Sequence, residues 1–71
     1  MATARPRAGT VDHFDEADGL GTVRDDDGTS YPFHCTAIVD GTRTIAVDTP
    51  VTFAIVAGRV GRWEATAVRP R

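Results

Sequence analysis

The chain has 71 residues, of which eight are arginine, none is lysine and ten are acidic, so its net charge is −2. This length provides one small domain, and the charge lacks the basic excess typical of a dedicated nucleic-acid binder. The single cysteine, Cys35, excludes an internal disulfide, and no apolar run is long enough for a signal peptide or a membrane span. We therefore expect a cytoplasmic protein that does not associate with membranes. The exclusive use of arginine indicates a GC-rich bacterial genome.

The first half of the chain is predicted to form three strands after a short tail. Residues 1–8 contain Pro6 and two arginines and are predicted to be flexible, so the domain itself covers residues 9–71. Strands are predicted at 9–14 and 20–24, joined by the polar turn 15–19. A third strand at 30–35 follows the acidic turn 25–29.

The second half adds two strands. Asp40 and Gly41 mark a loop, and 44–47 is predicted to be a short extended piece that ends before Pro50. Residues 51–56 alternate larger and smaller apolar side chains, as a half-buried strand does; 57–61 turn the chain, and 63–69 form the last strand. Because no segment has a helical period, the chain is predicted to be all-β, a five-stranded Greek-key barrel of the oligonucleotide-binding type.

Alternation along these strands separates an inner face from an outer face. The residues expected to be buried are apolar, namely Val11, Val23, Phe33, Ile38, Ile45, Val51, Phe53, Ile55 and Val68. The residues expected to share one exposed face are Phe14, Leu20, Thr22, Pro32 and His34.

Three motifs carry a family resemblance: Gly9-Thr10-Val11-Asp12-His13-Phe14, Gly19-Leu20-Gly21-Thr22-Val23 and Tyr31-Pro32-Phe33-His34. In order and spacing the chain resembles the bacterial cold-shock domain family over residues 9–68. The resemblance implies a small barrel that binds single-stranded RNA or DNA. In that family, bases stack on aromatic side chains above a basic groove, and stacking supplies much of the binding energy.

The chain departs from the family at the binding positions. Where the family has aromatic side chains, this chain has His13, Leu20, Thr22, Pro32, Cys35 and Thr42. Phe14 and His34 match the family, whereas Asp12 and Asp18 replace family lysines. Each lost stack costs roughly 1–3 kcal/mol, and a micromolar complex has only about 8 kcal/mol in total. We therefore expect weakened or altered binding.

The candidate binding face combines the matching positions with arginines and a tryptophan. Its members are His13, Phe14, Leu20, Thr22, Pro32, His34, Arg43, Arg62 and Trp63. Trp63 has no counterpart in the family pattern. A large apolar ring favours a core position in the last strand, and the alternative is a replacement stacking platform beside Arg62.

Charge is unevenly distributed, which supports a second hypothesis. The first third of the domain is acidic, and basic residues gather near its end as Arg59, Arg62, Arg69 and Arg71. Such runs are usually solvated loops, but they also orient a domain on a partner. The alternative function is a protein-interaction module that uses a mildly apolar patch of Leu20, Pro32, Cys35 and Thr42 to dock a protein partner or a second copy. Asp12 and Asp18 disfavour phosphates and favour a basic partner.

Other chemistry has little support in the sequence. His13, His34 and Cys35 lack the spacing of a metal site, and no nucleophile, base and orienting group occur in a recognisable arrangement. We expect no enzyme activity, no cofactor and no bound metal.

Overall fold

The computed structural model describes residues 6–39, 41–58 and 61–71. Within these ranges the strands are β1 (Arg7–Asp15), β2 (Leu20–Asp25), β3 (Ser30–His34), β4 (Pro50–Ala57) and β5 (Trp63–Pro70), and a 3-10 turn (Cys35–Ala37) follows β3. They form one antiparallel sheet in the order β3-β2-β1-β4-β5. A parallel bridge between Ile38 and Val68 joins β5 to the segment after β3. The predicted five-stranded all-β fold is confirmed.

Besides one-residue extensions at ends of β1, β2, β4 and β5, three features differ from the prediction. β1 begins two residues early because Arg7 and Ala8 pair with β4, opposite Phe53 and Thr52; residues 1–5 of the predicted tail lie outside the described residues. Residues 44–47 are not a strand. Cys35 begins the 3-10 turn and does not continue β3. Residue 40 of the predicted loop and residues 59 and 60 of the predicted turn also lie outside the described residues.

The loop ahead of β4 is fastened to β1 by the backbone. The Asp48 N–H donates to the Val11 carbonyl at 2.8 Å, and the Val11 N–H donates to the Thr49 carbonyl at 3.0 Å. This pairing extends the contact between β1 and β4 beyond the ladder itself. Residues 48 and 49 are therefore held against β1, and the described segment from 41 to 49 forms no strand of its own.

The core consists of small aliphatic side chains around two phenylalanines. Its buried members are Val11, Val23, Phe33, Ile38, Val51, Phe53, Ala65 and Val68. Ile45 and Ile55 are half-buried and pack against this cluster, so every predicted core residue contacts or belongs to it. Ala65 joins the core without having been predicted there. Among the described residues, no helix is long and apolar enough to cross a membrane.

A β-bulge in β1 decides which side chains reach the outer face. Val11 lies opposite Val23 but His13 lies opposite Thr22, so Asp12 is an extra residue in the ladder. Without this insertion His13 would share the inner face with Val11, because side chains alternate along a strand. The bulge therefore turns His13 outward and Phe14 inward.

Phe14 consequently lies on the core side of the sheet, and the prediction that it shares the exposed face is wrong. It lies opposite Gly21, which lies opposite the buried Phe33. The rings of Phe14 and Phe33 are stacked, with centroids 5.9 Å apart and planes inclined by 14°. Gly21 permits this contact, since a Cβ at residue 21 would lie 2.8 Å and 2.9 Å from carbons of the two rings.

Candidate nucleic-acid interface

The outer face of β1, β2 and β3 brings several predicted site residues together. Leu20 lies opposite His34, Thr22 lies opposite Pro32, and His13 lies opposite Thr22. Residues directly opposite each other in a ladder present their side chains on the same face. The expectation that Leu20, Thr22, Pro32 and His34 share a face is confirmed, and their role in binding stays a prediction.

This face forms the floor of an open groove whose two ends differ in chemistry. We call the larger end, of about 750 Å³, the acidic end. Its lining residues are His13, Asp15, Asp18, Leu20, Gly21, Phe33, His34 and Glu64. Three carboxylates therefore face a surface that also carries two histidines and an exposed leucine. Thr22, Pro32 and Arg62 line this end as well and continue into the other.

We call the smaller end, of about 540 Å³, the hydroxyl end. It lies between β3 and the start of β5. Besides the three shared residues, its lining is Thr29, Ser30, Tyr31, Gly61 and Trp63. Thr22, Thr29 and Ser30 carry hydroxyl groups, and none of the described lining residues carries a carboxylate. Tyr31 lies opposite the buried Val23, and its ring packs against Phe53 on the core side.

The imidazole of His34 is held in one orientation. His34 caps the 3-10 turn, and the Thr36 N–H donates to its Nδ1 at 3.2 Å. The Thr36 hydroxyl also lies 2.9 Å from Nδ1. Since Nδ1 accepts the backbone hydrogen bond, the neutral ring carries its proton on Nε2. A group bound beside His34 would therefore meet an N–H donor on a ring with little rotational freedom.

The carboxylates near the groove differ in their partners. Asp15 accepts hydrogen bonds from the backbone N–H groups of Ala17 and Asp18, at 3.0 Å and 3.3 Å, and thereby shapes the turn after β1. Asp12 forms an ion pair with Arg24 at 3.4 Å. Within residues 6–39, 41–58 and 61–71 no ion pair involves Asp15, Asp18, Glu64 or Arg62. Among the described residues, the acidic end thus presents three carboxylates and one guanidinium.

Trp63 is exposed, so its predicted core position is wrong. Its side chain is 58% exposed, and it lines the hydroxyl end beside Arg62. It is the first residue of β5, opposite Ala57 at the end of β4, while the buried positions of that strand are Ala65 and Val68. The alternative interpretation, a platform beside Arg62, fits this location.

Not all predicted site residues line the groove. Arg43 is exposed in the loop ahead of β4 and, like Phe14, lies outside both groups of lining residues. Arg69 and Arg71 are exposed but lie outside the groove lining too, and Arg59 is outside the described residues. Among the described residues no group of three His, Cys, Asp or Glu side chains could hold a metal ion.

Sequence reasoning singles out Asp18 but misses Asp15 and Glu64 in the groove lining, and it also misses the hydroxyl-bearing Thr29 and Ser30. The sequence pattern places Asp15 in a solvated turn and does not distinguish Glu64, although one groove contains both. Their convergence depends on β5 approaching β3 across the barrel. No local pattern indicates that approach.

No family model and no curated protein matches the chain. Among solved structures, the chain is similar to Drosophila Unr CSD456, with a TM-score of 0.79 and 22% sequence identity. The match covers 96% of this chain but 27% of the Unr chain, so this chain spans about a quarter of that structure's length. The likeness shows the fold, which is a cold-shock-like barrel.

Proposed function

We propose that this domain binds single-stranded RNA or DNA in the groove on the outer face of β1, β2 and β3, more weakly than a fully aromatic cold-shock domain. The observation that carries the proposal is the ladder register, in which Leu20, Thr22, Pro32 and His34 form one outward surface. His34 and Trp63 supply flat rings at opposite ends of the groove. A bacterial, cytoplasmic setting without enzymatic activity is part of the same proposal.

Electrostatics support weak binding. Phosphate contacts from Lys and Arg supply most of the sequence-independent affinity for nucleic acid. Arg62 is the guanidinium in the described groove lining, against the carboxylates of Asp15, Asp18 and Glu64. Stacking is also reduced, since Leu20, Thr22 and Pro32 offer no aromatic face. Both main contributions to affinity are therefore small.

A titration of labelled oligonucleotides tests this function. Fluorescence anisotropy of 5′-fluorescein hexamers of dT and U should give a Kd weaker than about 1 μM at physiological salt, which corresponds to roughly 8 kcal/mol. Raising the salt concentration should weaken the complex, because its phosphate contacts release counterions. A salt-resistant nanomolar complex would contradict the proposed weakness, and no saturable binding of either oligomer would contradict the function.

The acidic end favours a second candidate function, docking of a basic protein segment. Leu20 is 52% exposed and lies among three carboxylates, a combination that suits an arginine-rich peptide with an apolar side chain. The other members of the predicted patch, Cys35 and Thr42, do not line the groove. An arginine-rich peptide that binds with higher affinity than the hexamers and is weakened by Asp18→Asn would favour this function; sedimentation equilibrium would test self-association.

A further inference from the structure

The distribution of charge along the groove limits where a nucleotide can bind. Carboxylates line the acidic end, whereas the described lining of the hydroxyl end has none and shares Arg62. A phosphate is repelled by the first surface and accepted by the second. Taking the proposed function as its basis, we propose that the hydroxyl end is a binding site for a single nucleobase, which stacks on Trp63 while its phosphate faces Arg62.

Trp63 provides the stacking surface. An indole ring that is 58% exposed leaves a large apolar face in water, and tryptophans usually bury such a face. The groove at this point has a volume of about 540 Å³, within the range of roughly 300–1,000 Å³ that is typical of small-molecule sites. A nucleobase is flat, has two apolar faces, and would cover the ring without any change in the core.

The remaining lining suits the polar edge of a base. Thr22, Thr29 and Ser30 carry hydroxyl groups, each of which can donate and accept a hydrogen bond. Base edges present mixed donors and acceptors, so a hydroxyl-lined wall accommodates several bases. No described carboxylate forms an ion pair with Arg62, which leaves its guanidinium suited to an anionic phosphate.

The site is limited to one base because the groove changes beyond Pro32. The next positions along the outer face are Leu20 and His34, next to Asp15 and Asp18. A second nucleotide placed there would bring its phosphate toward carboxylates and gain no tryptophan-sized ring. Affinity should therefore depend on Trp63 and only weakly on strand length.

The experiment compares strand lengths and ring substitutions. Anisotropy of labelled dT trimers, hexamers and nonamers should show a gain of only about threefold from trimer to nonamer, the ratio of available nucleotides. Trp63→Leu keeps an apolar side chain but removes the π-face, and it should weaken hexamer binding roughly five- to 140-fold. Trp63→Phe should recover part of the loss. Leu20→Ala, in the acidic end, should weaken binding less than Trp63→Leu does. Val47→Ala, at an exposed apolar residue outside the described groove lining, is the control and should leave binding unchanged.

A titration with thymidine monophosphate, followed by NMR, tests whether the site binds a nucleotide within a strand or a free nucleotide. The expected result is a saturable shift of the Trp63 indole N–H resonance. Saturation should require a higher concentration of monophosphate than of the dT hexamer. Equal affinity for monophosphate and hexamer would assign the site to free nucleotides and would support the inference. Thermal melts of Trp63→Leu and Leu20→Ala establish that both variants are folded.

The outcomes separate the two proposals. Hexamer binding that survives Trp63→Leu but is lost in Leu20→Ala would overturn the single-base site and leave the proposed function standing. A monophosphate complex that requires Trp63, in a protein that binds no hexamer, would support the site and overturn the proposed function. Binding of neither probe would overturn both, and affinity that rises by orders of magnitude with strand length would overturn the single-base site.

Discussion

The two ends of the groove share Thr22, Pro32 and Arg62 but present opposite environments to an anion. The acidic end is built from the end of β1 and the turn after it, the start of β2, the end of β3 and Glu64 of β5. The hydroxyl end lies between the start of β3 and the start of β5. The comparison teaches that one barrel supports two unrelated surface chemistries within one groove. Outward side chains are free to change, because the core does not depend on them.

The side chains on the inner face of the sheet, unlike those on the outer face, are not free to change. Val11, Val23 and Phe33 are almost completely buried, and each matches the apolar pattern expected of the barrel. Burying such side chains stabilises a domain by roughly 1.5–3 kcal/mol each, which a domain of this size cannot forgo. Core positions are therefore constrained by stability, and groove positions by whatever the groove binds.

The largest expected effect comes from converting the groove to an aromatic surface. The combined variant Asp18→Lys, Leu20→Phe, Thr22→Phe and Pro32→Phe adds a cation and three rings to neighbouring outward positions. Two productive rings should tighten binding of a dT hexamer by roughly tenfold to several-hundredfold, after allowance for non-additivity between neighbours. Anisotropy titration measures the change.

The control for this variant is Asp18→Lys alone, which separates the charge from the rings. Three exposed phenylalanines enlarge the apolar surface and promote association, so the variant must be monomeric by sedimentation before its affinity is compared. If the combined variant is a folded monomer but binds the hexamer no more tightly than Asp18→Lys, the contrast between the two ends fails. The outward face would then lack the geometry for stacking at either end.

The fold was accessible from the sequence because its signals are local. Turn residues such as Gly28 and strand alternation around Phe53 predict strands one at a time, and five short strands leave few arrangements. The misplacement of Phe14 has a specific cause, since one extra residue at Asp12 exchanges the inward and outward positions that follow it. Bulges of this kind are not visible in an alternating pattern.

The groove was only partly predictable because it depends on distant strands. Leu20 and Thr22 belong to one strand, and their shared face follows from alternation. Trp63 and Glu64 enter the groove from β5, and no nearby residue indicates that approach. Hydrophobicity alone places Trp63 in the core, although it lies at the very start of its strand, where only Ala57 is opposite.

The next largest effect should come from Gly21, beneath the acidic end. Gly21 does not adopt a positive φ, so a side chain is excluded by packing and not by backbone conformation. In Gly21→Ala the new Cβ would meet the His13 carbonyl at 2.6 Å and the rings of Phe14 and Phe33. Overpacking of this kind should cost about 1–3 kcal/mol of unfolding free energy, measured by urea denaturation.

A double-mutant cycle with Phe14→Leu identifies the cause. The smaller side chain should relieve the crowding, so the two substitutions together should cost less than their sum. Gly28→Ala is the control, because Gly28 has a φ of 95° and a Cβ added there would have no neighbouring atom within 4 Å; its cost should not couple to Phe14. Equal coupling at both glycines would contradict the packing explanation.

A smaller effect on hexamer affinity is expected from removing one carboxylate, and it distinguishes the local charge of the acidic end from the net charge of the protein. Asp18→Asn removes one carboxylate from the acidic end and should strengthen hexamer binding about two- to fivefold at low salt, the size of an exposed charge interaction. Asp26→Asn makes the same change in net charge at an exposed residue outside the groove lining and should have a smaller effect. If hexamer affinity rises equally in both variants, the difference in charge between the two ends of the groove does not control affinity.

The smallest effect concerns a carboxylate that stabilises the strands and does not line the groove. Arg7 at the start of β1 donates to Asp25 at the end of β2 at 2.8 Å, and this hydrogen bond lowers the pKa of Asp25 despite partial burial; the Asp27 N–H adds to the effect. Because the folded pKa lies below the unfolded value of about 4, the pair contributes stability above that pH and loses it as pH falls through the folded pKa.

Thermal melts between pH 7 and pH 2 should therefore show that the melting temperature falls less steeply with acid in Asp25→Asn than in the unsubstituted protein. In Asp26→Asn the melting temperature should fall as steeply as in the unsubstituted protein. If the melting temperature fell equally with acid in all three proteins, the pair would not contribute to stability. The groove carboxylates would then be the acidic groups whose charge matters, through their effect on binding.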